Sequence, residues 1–135
     1  MKISTKGRYA LRVMADIALN FENKNVTITE LASRNGISDK YLEQIISLLV
    51  KENLLLSFRG AQGGYKLSKP TNQITVGEII RATEGKLETA ACVNSNEKCD
   101  MAEKCLTVNV WFKLDKVVND FFNSTTLEDV IHNKL

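Results

Sequence analysis

Three cysteines, Cys92, Cys99 and Cys105, fall in one polar stretch, ACVNSNEKCDMAEKC (91–105), and the rest of the chain has no thiol. Thiolates are soft donors suited to zinc and to iron–sulfur clusters. Structural zinc sites usually present cysteines two to four residues apart. The pattern here, Cys92-x6-Cys99-x5-Cys105, is wider. It suits a long loop that wraps a larger object, and iron–sulfur clusters are held chiefly by cysteine thiolates. Zinc with a fourth ligand and a metal-free thiol redox switch stay open beside the cluster. Three buried free cysteines suit this stretch less, because it is too polar to form core. An enzyme using the thiols as nucleophiles would need a nearby base. The one histidine, His132, is remote in sequence and reads as a surface or packing residue, so the chain is not expected to be an enzyme.

The elements that carry this stretch come from composition and periodicity. A chain of 135 residues, 44% hydrophobic and 25% charged, has the size and composition of one globular domain or a small domain with an added arm. No apolar run reaches the roughly 18 residues of a membrane span. The segment MKISTKGRYALRVMADIALNF interrupts its apolar residues with charges and shows no cleavage site. It is not expected to be a signal peptide, and a cytoplasmic location without membrane contact is expected. Residues 1–70 hold eleven Lys and Arg against six Asp and Glu; residues 71–135 hold seven against ten. A basic first half and an acidic second half suggest that the first half meets an anionic partner.

Ala10, Val13, Met14, Ile17 and Phe21 recur at helical spacing, with Ser4 or Thr5 available as N-cap. Thr27 and Glu30 read as a capping box opening a short helix that Asn35-Gly36 closes. Ser38 caps a helix over about 39–52, with Leu42, Ile45, Ile46 and Leu49 on one face. Two helices joined by a tight glycine turn have helix-turn-helix spacing. Leu54, Leu56 and Phe58 then alternate, GAQGG turns, and Tyr65 and Leu67 alternate in return, which predicts a β-hairpin. GAQGGYK lacks the G-x-x-x-x-G-K-[S/T] order of a phosphate loop. Thr75 and Glu78 open a fourth helix that Gly85 stops.

Beyond the cysteines, Trp111, Leu114, Val118, Phe121 and Phe122 line a further helix, and Thr125 with Glu128 opens a last one. The expected fold is mainly α with a small β-hairpin wing: a winged helix-turn-helix plus a long C-terminal dimerisation helix. The expected parts are a DNA-binding domain over 1–85, a cysteine-bearing loop over 86–106, and a dimerisation segment with its C-terminal helix over 107–135. Trp111, Leu114, Val118 and Phe121 are expected at the interface of a homodimer acting on a two-fold double-stranded DNA site.

Helix 39–52 presents Lys40, Tyr41, Glu43, Gln44, Ser47 and Lys51 on its polar face. If it enters the major groove, Lys40 can meet guanine or a phosphate, Gln44 adenine, and Glu43 cytosine; otherwise the face is simply solvated. Arg59 beside Gly60 at the wing tip suits a phosphate or the minor groove, and Lys6 and Arg8 suit phosphates.

MKISTKGRYALRVMADIAL, ISDKYLEQIISLLVKENLL, RGAQGGYKLS and ITVGEII together resemble the Rrf2 superfamily of bacterial winged-helix regulators, over nearly the whole chain. The resemblance implies homodimeric transcription factors, with the late long helix as the dimerisation element and Tyr9, Ser38, Lys40, Tyr41, Glu43, Gln44 and Arg59 at or near DNA. In its IscR and NsrR types three cysteines hold an iron–sulfur cluster; CymR-type members lack the triplet. KCLTVNVW is similar to the IscR type, which favours 2Fe–2S over 4Fe–4S. Val108 stands where the IscR type has a histidine ligand, and Arg8 about where the NsrR type has a carboxylate. The first cysteine interval is one residue longer than the commonest IscR form. The fourth ligand stays open among Asp100, Glu103, Thr107, Asn109, a solvent species and a partner-chain residue. The function expected is a repressor whose operator binding is modulated by the cluster, governing iron–sulfur assembly or related sulfur and redox genes. A nitric-oxide-sensing or cysteine-metabolism regulator of the same fold, a zinc-binding interaction module and a metal-free thiol switch are the alternatives.

Overall fold

A computed structural model describes residues 1–93 and 99–135; residues 94–98 of the cysteine stretch lie outside the described residues. Six helices run α1 (Thr5–Asn20), α2 (Ile28–Asn35), α3 (Asp39–Lys51), α4 (Val76–Glu84), α5 (Val108–Ser124) and α6 (Leu127–Ile131). Strands β1 (Leu55–Phe58) and β2 (Gly64–Leu67) lie between α3 and α4. Polar caps start the first four helices. Ser4 accepts from the Gly7 amide, Thr27 from Glu30, Ser38 from Tyr41 and Thr75 from Glu78. Each satisfies an amide that the first helical turn leaves without a partner. The Glu78 carboxylate accepts in turn from the Thr75 amide, completing a capping box. At α2 only the Thr27 half of the expected box forms. Gly36 closes α2 in the left-handed region at φ 64°, which costs glycine little.

The main core joins Val13, Met14 and Ile17 of α1 to Leu31 of α2 and to Leu42, Ile45, Ile46 and Leu49 of α3. Ile74, Ile79 and Leu127 complete it, so α6 packs in the same core as α1. The last helix starts one residue later than its sequence pattern predicts: Thr126 and Asp129, not Thr125 and Glu128, form the capping box. Thr125 is buried, its carbonyl accepts from the Val76 amide at 2.8 Å, and its hydroxyl donates to the Phe121 carbonyl at 2.7 Å. A smaller cluster of Val76, Ile80 and Leu87 packs with Ile3, Leu11, Phe122 and Val130.

The hairpin pairs Leu55 with Leu67, Leu56 with Lys66, Ser57 with Tyr65 and Phe58 with Gly64. Its inward face differs from the simple alternation of Leu54, Leu56 and Phe58. Leu54 and Leu55 are both buried, while Leu56 and Phe58 are each 43% exposed. Asn53 adopts φ 59°, and the Leu54 amide donates to the Leu49 carbonyl. The chain thus turns inward before the strand begins, and Leu55 becomes its buried position. At its base the wing is held by reciprocal backbone bonds between Val26 and Tyr65, 2.9 and 2.8 Å. Gly64 permits this approach: at its φ of 136° a Cβ would stand 2.6 Å from the Val26 carbonyl oxygen.

The first two helices are stitched by charge. Arg34 Nε and Nη2 donate to the Asp16 carboxylate at 3.0 and 2.8 Å, and Asn35 Nδ2 donates to it at 3.0 Å. Asp16 is only 13% exposed. The Arg34 guanidinium, assisted by Asn20 and Asn35, holds the Asp16 carboxyl below its ordinary value against partial burial, which opposes the shift. A carboxylate with a lowered folded pKa contributes stability above its unfolded pKa, about 3.9, and loses it as pH falls through the lowered value. Asp16→Asn should therefore melt several degrees below wild type at neutral pH, with the two converging in acid. Circular dichroism melts from pH 7 to 3 check this; a gap independent of pH would assign the loss to shape rather than charge.

Candidate nucleic-acid interface and thiol segment

The periodicity that buries Leu42, Ile45, Ile46 and Leu49 turns Lys40, Glu43, Gln44 and Ser47 outward, and all four are exposed. Ser38, exposed before the first turn of α3, spends its oxygen on the Tyr41 amide at 3.2 Å. Tyr41 is half-buried and meets Tyr9 of α1 edge to face, with ring centroids 6.0 Å apart. Arg8 is exposed and donates to the Thr5 hydroxyl at 3.2 Å, and Lys6 is half-buried on the same first turns. The starts of α1 and α3 are thus brought together through two tyrosines. Arg12, which the sequence pattern does not single out, sits over Tyr9 with its guanidinium carbon 4.6 Å from the ring centroid. Its signal in the sequence is the four-residue step from Arg8, but its partners come from tertiary packing.

The wing tip exposes Arg59 and Gly60. Gly60 has φ 98°, and its carbonyl accepts from the Gly63 amide at 2.9 Å. A Cβ at Gly63 would stand 2.4 Å from the Phe58 carbonyl oxygen, so the tip is closed by glycine out of necessity. Asn25 Nδ2 donates to the Gln62 carbonyl at 3.0 Å and anchors the tip to the α1–α2 loop.

Cys92 and Cys99 are exposed and Cys105 is half-buried. Cys92 lies in a short 3-10 turn, Ala91–Val93, that packs against α5. Among the described residues no three His, Cys, Asp or Glu side chains are gathered to hold a metal. The chemistry of the donor set nevertheless suits thiolate ligation: three accessible thiols, one of them held toward its anion. The Thr107 hydroxyl lies 3.3 Å from Cys105 Sγ. It is the main cause that lowers the Cys105 thiol pKa, with the Thr107 and Val108 amides assisting and slight burial opposing. Of the fourth-ligand candidates, Asp100, Glu103, Thr107 and Asn109 are exposed; Val108 is half-buried and His132 is exposed at the end of α6.

Helix α5 has no buried residue. One face docks on its own chain: Asn119 Oδ1 accepts from Arg81 at 3.0 Å, and Asp115 accepts from the Thr89 amide and hydroxyl at 3.0 and 3.2 Å. The other exposes Val110, Leu114, Val117 and Phe121 at 57, 44, 58 and 53%, with Trp111 at their edge at 37%. Val118 is half-buried beside the docked face, so Val117 takes the place in the exposed stripe that the sequence pattern gives to Val118.

A family model described as Rrf2, iron-dependent transcriptional regulator, matches residues 3–133. The chain belongs to the Rrf2 family. It is 39% identical over 134 residues to the HTH-type transcriptional regulator IscR of Pectobacterium atrosepticum, covering 99% of this chain and 81% of that one. IscR of Cronobacter sakazakii is 40% identical over 134 residues, covering 99% and 82%. Among solved structures, T. potens IscR superposes with a TM-score of 0.78 at 38% identity, covering 100% of this chain and 89% of that one. CymR, the global cysteine regulator of B. subtilis, superposes with a TM-score of 0.81 at 36% identity, covering 98% of each chain. The fold is the winged helix of Rrf2 regulators, and the chain is a DNA-binding transcriptional regulator, not an enzyme.

The thiol geometry gives a direct test. Thr107→Val should slow alkylation of Cys105 by iodoacetamide at neutral pH, because the thiol loses its main stabilising donor and holds less thiolate. Peptide mass spectrometry of the metal-free protein reads each cysteine separately; Cys92 and Cys99 should react as in wild type.

Proposed function

We propose that this Rrf2 regulator is a homodimeric repressor that reads a two-fold DNA site and whose operator affinity is modulated by an iron–sulfur cluster on Cys92, Cys99 and Cys105. The observation that carries the reading is the place of the three accessible thiols, on the segment joining the winged-helix unit to a helix whose apolar stripe is exposed. Residues 1–85 read DNA, 86–106 carry the cluster and 107–135 supply the dimer contact. Lys40, Glu43 and Gln44 address base edges, with Arg59 and Gly60 at the flanking groove. Lys6, Arg8, Tyr9, Ser38 and Tyr41 address the phosphate backbone. A 2Fe–2S group suits the likeness to IscR better than 4Fe–4S. When bound, the group supplies a redox-sensitive link among three thiolates. The chain's part is to present those thiolates and to transmit their arrangement through α5 to the spacing of two reading heads. A coupling of about 3 kcal/mol would change operator affinity roughly 100-fold. The genes governed are those of iron–sulfur assembly or related sulfur and redox functions, as the resemblance to the IscR type implies; the solved neighbour CymR is a global cysteine regulator.

A second reading, a metal-free thiol switch, is favoured by the lowered pKa of Cys105. Anaerobic purification with iron and sulfide analysis separates the two. Under the cluster reading the protein is coloured, and each single Cys→Ala change loses most visible absorption and removes the response of DNA binding to the cluster. Wild-type iron and sulfide in all three alanine variants would transfer the function to the thiol switch. In gel-shift titrations, Arg59→Ala and Gln44→Ala should each weaken operator binding by about 1–3 kcal/mol. Lys6→Ala should weaken all duplexes alike and lower the salt slope by about one unit. Operator affinity unchanged by Arg59→Ala would remove the wing from the interface.

The dimer has its own test. Leu114→Glu with Val117→Glu puts two charges into the exposed α5 stripe without touching either buried core. Sedimentation should show monomers, since unpaired charge in an apolar interface is costly. Operator affinity should drop sharply as each head loses its tethered partner. A persisting dimer would place the interface elsewhere.

A further inference from the structure

Arg12 is an exposed cation to which the proposed DNA contacts assign no role. It shares one face of α1 with Thr5, Arg8 and Tyr9, and its Nη2 donates to the Asn35 carbonyl at 2.7 Å. The same guanidinium lies over the Tyr9 ring, which meets Tyr41 at an interplanar angle of 72°. Asn35 is the last residue of α2, and Tyr41 belongs to the first turn of α3. One side chain therefore holds both flanks of the helix-turn-helix turn, the carbonyl before it directly and the helix after it through Tyr9.

The chemistry calls for arginine. The last carbonyls of a helix lack intrahelical partners, and a cation there also suits the helix dipole. A planar guanidinium stacks on a ring and donates in its own plane at once, whereas an ammonium is a compact point charge without that plane. One turn further along the same face of α1, Asp16 already holds Arg34 and the Asn35 side chain. Core burial fixes the body of α3 against α1, and the Arg12 bridge adds a polar tie at α3's first turn, next to the start of α1. Those two places carry the proposed base contacts and phosphate contacts. Base readout needs both engaged in one register.

We infer that Arg12 is a positioning residue for DNA recognition, bridging the end of α2 to the Tyr9–Tyr41 pair and so setting the recognition helix against the phosphate-contacting start of α1. The inference rests on the DNA-reading function proposed above. Its test uses a duplex selected by the wild-type protein from a random-sequence pool and a scrambled duplex of the same length and composition. Arg12→Lys keeps the charge and loses the planar bridge. It should weaken binding to the selected duplex about tenfold, the scale of one charge-assisted hydrogen bond. Affinity for the scrambled duplex and the salt slope should stay at wild type. In a double-mutant cycle with Gln44→Ala the two losses should be less than additive, because a mispositioned helix has already lost the Gln44 contact.

Equal loss on both duplexes would overturn the inference: with an unchanged melting point it would make Arg12 a direct phosphate contact, and with a melting point low enough to account for it, a stabilising residue only. Wild-type affinity in Arg12→Lys, or full additivity with Gln44→Ala, would overturn the inference alone. Failure of the wild-type protein to prefer any selected duplex would overturn the proposed function and this role with it.

Discussion

Burial of one face of α3 against α1 is the contact on which the rest depends. Leu42, Ile45, Ile46 and Leu49 are almost fully removed from water beside Val13, Met14 and Ile17. Each such side chain contributes about 1.5–3 kcal/mol on burial. With the inward face committed, the 3.6-residue period leaves Lys40, Glu43, Gln44 and Ser47 no place but the solvent side. The proposed recognition chemistry is thus the complement of core packing, not a separate addition. The polar stitches across α1 and α2 act on top of this. Asp16 holds Arg34 and the Asn35 side chain, and Arg12, one turn earlier on the same face of α1, holds the Asn35 carbonyl.

The wing depends on the same core through a different device. Leu54 and Leu55 enter it, and two backbone bonds tie Tyr65 to Val26, so β2 is held at its start as well as along β1. Gly64 allows that second attachment by having no side chain at the point of closest approach. Arg59 then stands at the tip of a hairpin whose base is fixed, which is the mechanical condition for the contact proposed for it.

Helix α5 presents the opposite balance. One face is docked through Asp115 and Asn119 on Thr89 and Arg81 and through Phe122 on the smaller core cluster, while Val110, Leu114, Val117 and Phe121 point away. A helix of 17 residues gains most of its stability from packing an apolar stripe. The proposed second chain answers that need, and it would make the thiol segment, which leads directly into α5, sensitive to how two protomers meet. Cys105 stands two residues from the Thr107 cap position, with its sulfur 3.3 Å from the Thr107 hydroxyl.

Local chemistry was legible without the fold. Ser38, Thr75 and Gly36 announced their helix ends because a cap involves only residues within one turn. The amphipathic period of α3 announced both its core face and its exposed face. The cysteine spacing pointed to thiolate chemistry, though 94–98 lie outside the described residues. What tertiary structure alone decided involves partners far apart in the chain. Leu55 rather than Leu56 faces the core because Asn53 and Leu49 turn the chain before the strand. Thr126 rather than Thr125 caps α6 because Thr125 is held against Val76. Val117 rather than Val118 joins the exposed stripe because Asp115 and Asn119 dock α5 on Thr89 and Arg81. Arg12 gains its meaning only when Asn35, 23 residues on, ends a helix beside Tyr9. Periodicity and capping are properties of one turn of backbone. Rotation about a helix axis, and the partner of an exposed cation, are set by the segments that pack against it.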